Sequence, residues 1–408
     1  MFLPGLPSGR GQEALPDVSS QGGDAAKLAP VVVGGELPAR SRSVGSVAPL
    51  DVLLVSTPIG TLGSGAGGGV ELTLANAARS LRGLGSRVTV MAARGSRLPD
   101  DLADVELVEV AGDPPPSAQH QGRDAPVLLS ADTLVGNFFE TARARQGRHD
   151  VIVNFGYDWL PLYLTPFFET PLCHLIGMGS VSDAVERAAG AVARYAPARI
   201  AMHTRAQAST YGFGDQVRIV GNGFDLARYR SAPTVERAAF AWVGRIAPEK
   251  GLPDAVAAVL AAGGELRVFG IVADEEHWQA VLQSPGGAVV RHRGFLPTED
   301  LAGELARCEA LVMTPKWDEA FGNVVIEALA CGVPVITYRR GGPAELVDHG
   351  RTGLVVEPDS IDELASALAR VGSLDRSECR RAAERSFSLD AFGRRLVDWL
   401  GEVRRSDR

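Results

Sequence analysis

One segment decides the fold of this chain: residues 317–336, which read WDEAFGNVVIEALACGVPVI. The segment opens as a polar loop, continues as an apolar helix and stops at Gly332 before a β-branched strand. Its two glutamates, Glu319 and Glu327, are eight residues apart, and at about 3.6 residues per turn Glu327 falls inside the helix. A carboxylate among apolar neighbours is costly unless a polar group binds it. The segment therefore predicts a polar ligand at the start of a helix, where free amides favour an anion.

Apolar segments that alternate with helical stretches precede and follow this segment. One series of predicted strands runs from Asp51 to Met202, and a second runs from Phe240 to Val356. Continuous apolar strands separated by helices are typical of parallel, doubly wound sheets. We therefore predict an α/β protein with two Rossmann-like domains that face each other across a cleft. In such sheets, ligands lie outside the carboxyl ends of the strands.

These patterns divide the chain into four parts. Residues 1–48 are rich in Gly, Pro, Ser and Ala without sustained periodicity, and we expect a disordered tail there. Residues 49–225 and 226–385 would form the two domains, and their junction is the Asn-Gly-Phe-Asp run that ends at Asp225. Residues 386–408 would form a closing helix that packs back on the first domain.

The composition excludes several classes of protein. The 408 residues are 45% hydrophobic and 22% charged, with a formal net charge of −8, so no basic excess attracts nucleic acid. The sequence has no apolar run of about 18 residues, the length that predicts a membrane-spanning helix. The cysteines lack paired metal-ligand spacing, which predicts free buried thiols in a reducing cytoplasm. They are Cys173, Cys308, Cys331 and Cys379.

Residues 317–336 resemble the Glu-x7-Glu signature of the retaining, nucleotide-sugar-dependent glycosyltransferases of family 4, which have the GT-B fold. The resemblance covers about residues 50–400, and it implies an acceptor domain followed by a donor domain. It also implies that Glu319 binds hydroxyls of the donor sugar and that Glu327 binds the ribose hydroxyls. As a residue in a helix, Glu327 could instead pair with a neighbouring cation. The backbone at the helix start would reach the sugar and phosphate, at Phe321, Gly322 and Asn323.

Two further runs in the second domain extend the resemblance. Residues 244–251 read GRIAPEKG, which is similar to the family's Gly-Arg-x4-Lys-Gly motif. By resemblance, Arg245 and Lys250 would compensate the charge that develops on a departing UDP. These cations would replace a metal ion, so we expect neither a metal nor a cofactor. The Arg-Gly-Phe run around Gly294 would let a backbone loop recognise the base.

The loop after the first strand reads GSGAGGG over residues 63–69 and contains a G-x-G-x-x-G pattern. A dinucleotide site would place the first glycine directly after the strand and an acid at the end of the next strand. Here six residues separate Ser56 from Gly63, and the second strand ends without an acid, so we do not expect NAD or FAD. By resemblance, Gly68 and Gly69 approach the donor diphosphate, and a plain linker loop is the alternative.

The first domain departs from the family on the acceptor side. Many family members carry a histidine after the fourth or fifth strand, whereas this chain has Tyr157, Asp158 and Trp159. His174 lies in the next strand and would face either the cleft or the core, and Met178 follows it in a glycine-containing loop. These five residues are the predicted acceptor-binding group, with Asp158 as a base or a sugar-binding residue.

Loops of the first domain are also similar to those of UDP-glucose:tetrahydrobiopterin glucosyltransferases. This similarity implies transfer of glucose from UDP-glucose to a small hydroxylated acceptor such as a pterin side chain. The catalytic residues would be Arg245, Lys250, Glu319 and Asp158. The similar loops are residues 56–65, 67–74, 157–161 and 177–180.

Other functions remain compatible with the same residues. A family 4 enzyme could act on a sugar, a lipid or a natural product instead of a pterin. A nucleotide-sugar epimerase and a non-catalytic nucleotide-binding protein are alternatives from other classes. The sequence predicts no oligomeric state.

Overall fold

The computed structural model of the chain describes residues 49–64, 68–118 and 121–406. The predicted disordered tail, residues 1–48, lies outside the described residues, as does the middle of the glycine loop, residues 65–67. The two domains predicted from the sequence belong to one compact unit of the chain.

The described part of the chain alternates strands and helices. The strands are β1 (Asp51–Val55), β2 (Arg87–Ala93), β3 (Glu106–Val110), β4 (Val151–Asn154), β5 (Leu172–Ile176), β6 (Ile200–Met202), β7 (Arg218–Ile219), β8 (Ala239–Val243), β9 (Glu265–Phe269), β10 (Val290–Gly294), β11 (Ala310–Met313), β12 (Val335–Tyr338) and β13 (Gly353–Val356). The α-helices are α1 (Gly69–Gly83), α2 (Leu134–Arg145), α3 (Trp159–Leu164), α4 (Asp183–Tyr195), α5 (Arg205–Ala208), α6 (Leu252–Ala262), α7 (Glu275–Gln283), α8 (Thr298–Arg307), α9 (Asn323–Ala330), α10 (Gly341–Leu346), α11 (Ile361–Arg370), α12 (Arg376–Phe387) and α13 (Leu389–Ser406).

The strands form two parallel sheets, which confirms the predicted doubly wound fold. The first sheet has the order β3-β2-β1-β4-β5-β6-β7, and the second has the order β10-β9-β8-β11-β12-β13. The chain direction across each sheet reverses between β1 and β4 and between β8 and β11, and such reversals open crevices at the carboxyl ends of the strands. Helices cover both faces, and Val52 to Val55 of β1 are accordingly at most 1% exposed.

The segment 317–336 folds as its pattern predicts. Helix α9 begins directly after Gly322, whose φ of +91° is in the left-handed region. A Cβ at this position would lie 2.9 Å from Cγ of Pro343, so glycine is required for two independent reasons. The helix buries its apolar face in the core of the second domain and is followed by β12. The N-terminus of α9 therefore lies at the carboxyl edge of the second sheet.

Helix α13 crosses from the second domain to the first. Its residues Phe392, Leu396 and Trp399 belong to the same buried cluster as β1 and β2. Nε1 of Trp399 donates a hydrogen bond of 2.7 Å to the carbonyl of Ala198, and Nε of Arg395 donates one of 2.7 Å to the carbonyl of Val220. The chain therefore connects the two domains twice, once through the junction after β7 and once through α13.

We expect Trp399→Ala to lower the free energy of unfolding by about 3–5 kcal/mol, because the substitution leaves a cavity under α13 and removes a buried hydrogen bond. Denaturant unfolding of the full chain measures this change. Leu260→Ala removes a side chain that is 42% exposed on α6 and is the control, with an expected change within about 0.5 kcal/mol. Equal losses in the two variants would contradict the role given to α13.

Candidate functional site

A cavity of about 700 Å³ lies at the carboxyl ends of both sheets. Its wall includes Thr57 after β1, Phe155 after β4 and Gly177 after β5. On the opposite side, the wall includes Gly244 after β8 and Thr314 after β11. The cavity is thus built from both domains, at the edge where doubly wound sheets bind ligands.

Most of the predicted site residues meet on this wall. From the first domain they are Gly68, Gly69, Tyr157, Asp158, Trp159 and Met178. From the second domain they are Arg245, Lys250, Glu319, Phe321, Gly322, Asn323 and Glu327. The structure thus brings residues from motifs that are up to 259 positions apart in sequence (Gly68 to Glu327) into one cavity.

The N-termini of α1 and α9 approach each other at the cavity. Neither N-cap residue, Gly68 or Gly322, makes a side-chain capping bond. A Cβ on Gly69 would lie 2.9 Å from Nδ2 of Asn323, so the missing side chain is what allows the approach. Two helix starts whose glycine N-caps offer no side-chain acceptor to the first-turn amides form an environment that favours a phosphate or another anion.

Asn222 connects the same two helices. Its Nδ2 atom donates hydrogen bonds of 3.0 Å to Oγ1 of Thr73 on α1 and to Oδ1 of Asn323 on α9. Asn222 also lines the cavity. The sequence indicates only a junction at this run, and the bridge that its first residue forms is a feature of the tertiary structure.

Lys250 and Glu319 form an ion pair in the second domain. The Nζ–Oε2 distance is 2.7 Å, and each side chain is 18% exposed. Nζ of Lys250 also lies 5.2 Å from the ring centroid of Trp317, a cation–π contact. A pair held this way can be reorganised by a ligand that offers hydroxyls to the carboxylate and an anion to the ammonium.

Arg245 is a second cation on the second-domain side of the cavity. It pairs with Glu249 at 3.0 Å and is 42% exposed. Because exposed ion pairs contribute only about 0–1 kcal/mol, an anion in the cavity can recruit this guanidinium at small cost.

Glu327 lines the cavity and is half-buried. Tyr229 donates its hydroxyl to Oε1 of Glu327 across 3.4 Å, and burial raises the pKa of Glu327 to about 7. Within the described residues Glu327 has no ion pair, since the nearby Arg228 pairs with Glu299 at 2.8 Å. The structure therefore does not support the alternative of a carboxylate paired with a cation, and Glu327 keeps its capacity to bind a polar ligand.

The first-domain side of the cavity is mainly apolar and aromatic. Trp159 stacks on Tyr163 with 4.8 Å between ring centroids, and the hydroxyl of Tyr157 accepts a hydrogen bond from the amide of Val181. Apart from histidine, Asp158 is the only acidic or basic residue among the described first-domain residues that line the cavity. Its carboxylate caps α3 through the amide of Leu160 at 2.8 Å, and burial raises its pKa.

The structure corrects the acceptor-binding prediction for His174. This side chain is 1% exposed and does not belong to the cavity wall. Its Nε2 lies 2.8 Å from Oγ1 of Thr165, and its Nδ1 lies 3.2 Å from Nδ2 of Asn154. Both ring nitrogens are thus satisfied inside the first domain, so of the two predicted orientations the structure has the core one.

The predicted base-recognition residue is also outside the cavity. Gly294 ends the edge strand β10, and its carbonyl accepts a hydrogen bond of 2.9 Å from the amide of Gly270. The following Phe295 is 75% exposed. The structure therefore does not bring this loop to the residues that line the cavity.

His203 is a cavity residue that the sequence analysis missed. It directly follows β6, and its ring lies 5.7 Å from that of Phe321 in the second domain. Its position after a predicted strand could have indicated this place, because polar residues just beyond the carboxyl end of a parallel strand lie at the ligand-binding edge.

Residues 225–387 match the family model described as Glycosyl transferases group 1. This part of the chain is similar to the glycosyl transferases of group 1. The match begins at the last residue of the predicted junction and ends with α12, and it contains the Lys250, Glu319 and Glu327 side of the cavity.

Relatives of known description are similar over different lengths. A glycogen synthase of Mycobacterium tuberculosis is 30% identical over 271 residues, which cover 58% of this chain and 64% of that protein. The chain therefore spans slightly less than two thirds of this relative. A D-inositol 3-phosphate glycosyltransferase of Kribbella flavida is 27% identical over 394 residues, which cover 83% of this chain and 90% of that protein.

Solved structures share the whole architecture. The Anabaena protein Alr3699/HepE, crystallised with UDP and glucose, has a TM-score of 0.66 at 20% identity, over 86% of this chain and 99% of that one. AviGT4, a glycosyltransferase of avilamycin A biosynthesis, has a TM-score of 0.64 at 23% identity, over 88% of this chain and 98% of that one. At such identities the likeness establishes the fold, which is GT-B.

Among the helices that the structure describes, none combines the length and the apolar character needed to cross a bilayer. All four cysteines are buried free thiols.

We expect Glu327→Gln to stabilise the ligand-free protein at pH 8 by up to about 3 kcal/mol. The pKa of Glu327 in the folded state, about 7, lies above its value in the unfolded chain, about 4.3. The ionised carboxylate is therefore disfavoured by folding, and Glu327 costs stability progressively as the pH rises from about 4 to above 7. Denaturant unfolding at pH 5 and pH 8 measures the difference between wild type and variant.

The gain from Glu327→Gln should be small at pH 5, where the folded-state carboxyl is protonated. Glu384→Gln, which removes a carboxylate that is 52% exposed, is the control measured beside it at both pH values. An equal gain from Glu327→Gln at both pH values would contradict the assigned titration.

Proposed function

We propose that this chain is a retaining glycosyltransferase that moves a hexose, glucose in the first instance, from a UDP-sugar to a small hydroxylated acceptor. The observation that carries the proposal is the meeting, on one cavity wall, of two uncapped helix N-termini with Lys250, Arg245 and Glu319. A diphosphate needs the amides and cations, and a sugar needs a carboxylate that accepts from its hydroxyls.

This arrangement indicates how the UDP-sugar donor binds. The diphosphate lies between the starts of α1 and α9, with the sugar against Glu319. Once the sugar hydroxyls donate to Glu319, Lys250 is released from its present partner and faces the phosphate. Burial of Glu327 next to Tyr229 provides a carboxylate for the two ribose hydroxyls, and its ionised form is the better acceptor.

The chemical step breaks the bond between the anomeric carbon and the β-phosphate oxygen and forms a bond from the same face to the acceptor oxygen. The departing oxygen gains negative charge, which Arg245 and Lys250 stabilise, and we propose that these cations act without a metal ion. The acceptor proton leaves with the phosphate or passes to Asp158. Closure of the domains over the cavity would exclude water, which favours transfer over hydrolysis.

The acceptor half takes an uncharged molecule. Asp158 is the one acidic or basic residue, apart from histidine, on the described first-domain wall, so no cation there would hold a phosphorylated acceptor. The aromatic rings of Tyr157 and Trp159 suit a flat heterocycle. A reduced pterin with a hydroxylated side chain, such as tetrahydrobiopterin, meets both conditions. We place the enzyme in a reducing cytoplasm, consistent with its four free thiols.

An acceptor screen with UDP-glucose, read by mass spectrometry, tests the proposal. We expect UDP release that depends on acceptor and a glucoside whose mass reports one transferred hexose. Tetrahydrobiopterin is tested beside simple sugars, an inositol phosphate and lipid acceptors. Glucosides of other acceptors only would overturn the pterin assignment. Conversion of the donor sugar without acceptor would indicate an epimerase, and binding of UDP without turnover would indicate a non-catalytic protein.

We expect Lys250→Ala and Glu319→Ala each to lower kcat/KM for transfer by about 100-fold or more, because each removes a group that contacts the reacting donor. Steady-state assays with the best acceptor of the screen measure the loss. Lys316→Ala is the matched control, since Lys316 pairs with Asp254 and Asp359 and is absent from the cavity wall. Unchanged turnover in Lys250→Ala and Glu319→Ala would refute the donor site.

A further inference from the structure

His203 has no part in the donor or acceptor roles described above. It is the first residue after β6, is 6% exposed and lines the cavity. A buried polar ring on the wall of a ligand cavity requires partners for both of its nitrogens.

One nitrogen of His203 has a protein partner, and this partner determines the tautomer. Nδ1 lies 2.7 Å from the carbonyl oxygen of Gly221. A carbonyl oxygen only accepts hydrogen bonds, so Nδ1 carries the hydrogen and Nε2 carries a lone pair. Burial lowers the pKa of this imidazole, which favours the neutral form.

Nε2 of His203 has no hydrogen-bond partner among the residues that the structure describes. It lies on the side of the ring that faces Gly177, another cavity residue, where a Cβ would come 3.9 Å from Nε2. The missing side chain at Gly177 therefore leaves space next to this nitrogen. The other side of the space is formed by Val70 of α1, which lies 3.4 Å from the same Cβ position.

The ring is held in place from both domains. The amide of His203 donates a hydrogen bond of 2.8 Å to Oε1 of Gln207, and the ring packs on Phe321. The next residue, Thr204, donates its hydroxyl to the carbonyl of Ala320 at 2.7 Å. A group that is fixed before the ligand arrives binds with little loss of conformational freedom.

The chemistry of Nε2 selects its ligand. A lone pair on nitrogen repels a phosphate oxygen that carries no hydrogen, and it attracts an O–H group. We propose that Nε2 of His203 accepts a hydrogen bond from an alcohol hydroxyl of a bound substrate and thereby orients that substrate beside the donor segment. This inference rests on the proposed function. The hydroxyl belongs to the hexose of the donor or to the acceptor, and the two sources are separable by experiment.

Titration calorimetry with UDP and with UDP-glucose tests the donor source. In His203→Phe, which keeps an aromatic ring but has no acceptor atom, we expect unchanged affinity for UDP and about 3- to 10-fold weaker binding of UDP-glucose, the size of one hydrogen bond. His203→Gln places a carbonyl oxygen near the position of Nε2 and should recover part of the loss. If the acceptor supplies the hydroxyl, we expect His203→Phe to raise the acceptor KM by about 3- to 10-fold and to leave the affinity for UDP-glucose unchanged.

A substrate lacking one hydroxyl distinguishes a direct contact from a structural effect. Against the deoxy analogue that lacks the contacted hydroxyl, wild type and His203→Phe should bind equally well, because the interaction is already absent. His174→Gln is the matched control: this second buried histidine of the domain lies in the core, so its replacement changes the unfolding temperature without changing the ratio of UDP to UDP-glucose affinity.

Two results would overturn the role of His203. One is a His203→Phe variant with wild-type constants for UDP-glucose and acceptor. The other is an equal loss of affinity for UDP and UDP-glucose, which would indicate a general disturbance of the cavity. If the wild-type protein binds UDP-glucose and His203→Phe has no effect, this inference is wrong and the proposed function is unaffected. Wild-type protein that binds no nucleotide sugar contradicts the proposed function and this inference together.

Discussion

The candidate site depends on one close approach, that of the N-terminus of α1 to the N-terminus of α9. A side chain at Gly69 would collide with Nδ2 of Asn323, and Asn222 donates to both helices. The approach sets the helix starts of two domains beside one another, and the cations and carboxylates of the second domain line the same cavity. Without it, each domain would present a weak anion site of its own on a separate surface.

Maintaining this space has a cost that is visible in the ligand-free protein. Glu327 is held where burial raises its pKa to about 7, and one nitrogen of His203 lacks a hydrogen-bond partner in the described structure. Lys250 and Glu319 satisfy each other at 2.7 Å, although each is suited to a different part of a nucleotide sugar. Groups that are preorganised for a ligand commonly reduce the stability of the free protein, and the second crossing of the chain through α13 supports the domains that carry them.

The structure and the comparisons agree best for the second domain. The match to group 1 glycosyl transferases covers residues 225–387, which contain the second-domain wall of the cavity. In the proposed function, the first domain with its apolar wall would determine which acceptor enters. Its loops differ from the family pattern where Tyr157 to Trp159 replace the usual histidine, and this difference is where a distinct acceptor would be recognised.

The sequence alone determined the alternation of strands and helices and the loop, helix and strand of residues 317–336, because these depend on local patterns. The grouping of Lys250, Glu319 and Glu327 was implied by the resemblance to a family. The sequence did not reveal α12, half of whose residues are charged and whose narrow apolar stripe is recognisable only against α9. It also did not decide whether His174 faces the cleft or the core, and it gave no role to His203. Both histidines lie at a strand of the first sheet, and a pattern along one strand does not tell which ring meets a core partner and which meets the cavity. Only the tertiary structure decided that, because the partners of each ring come from other strands, from the junction and from the second domain.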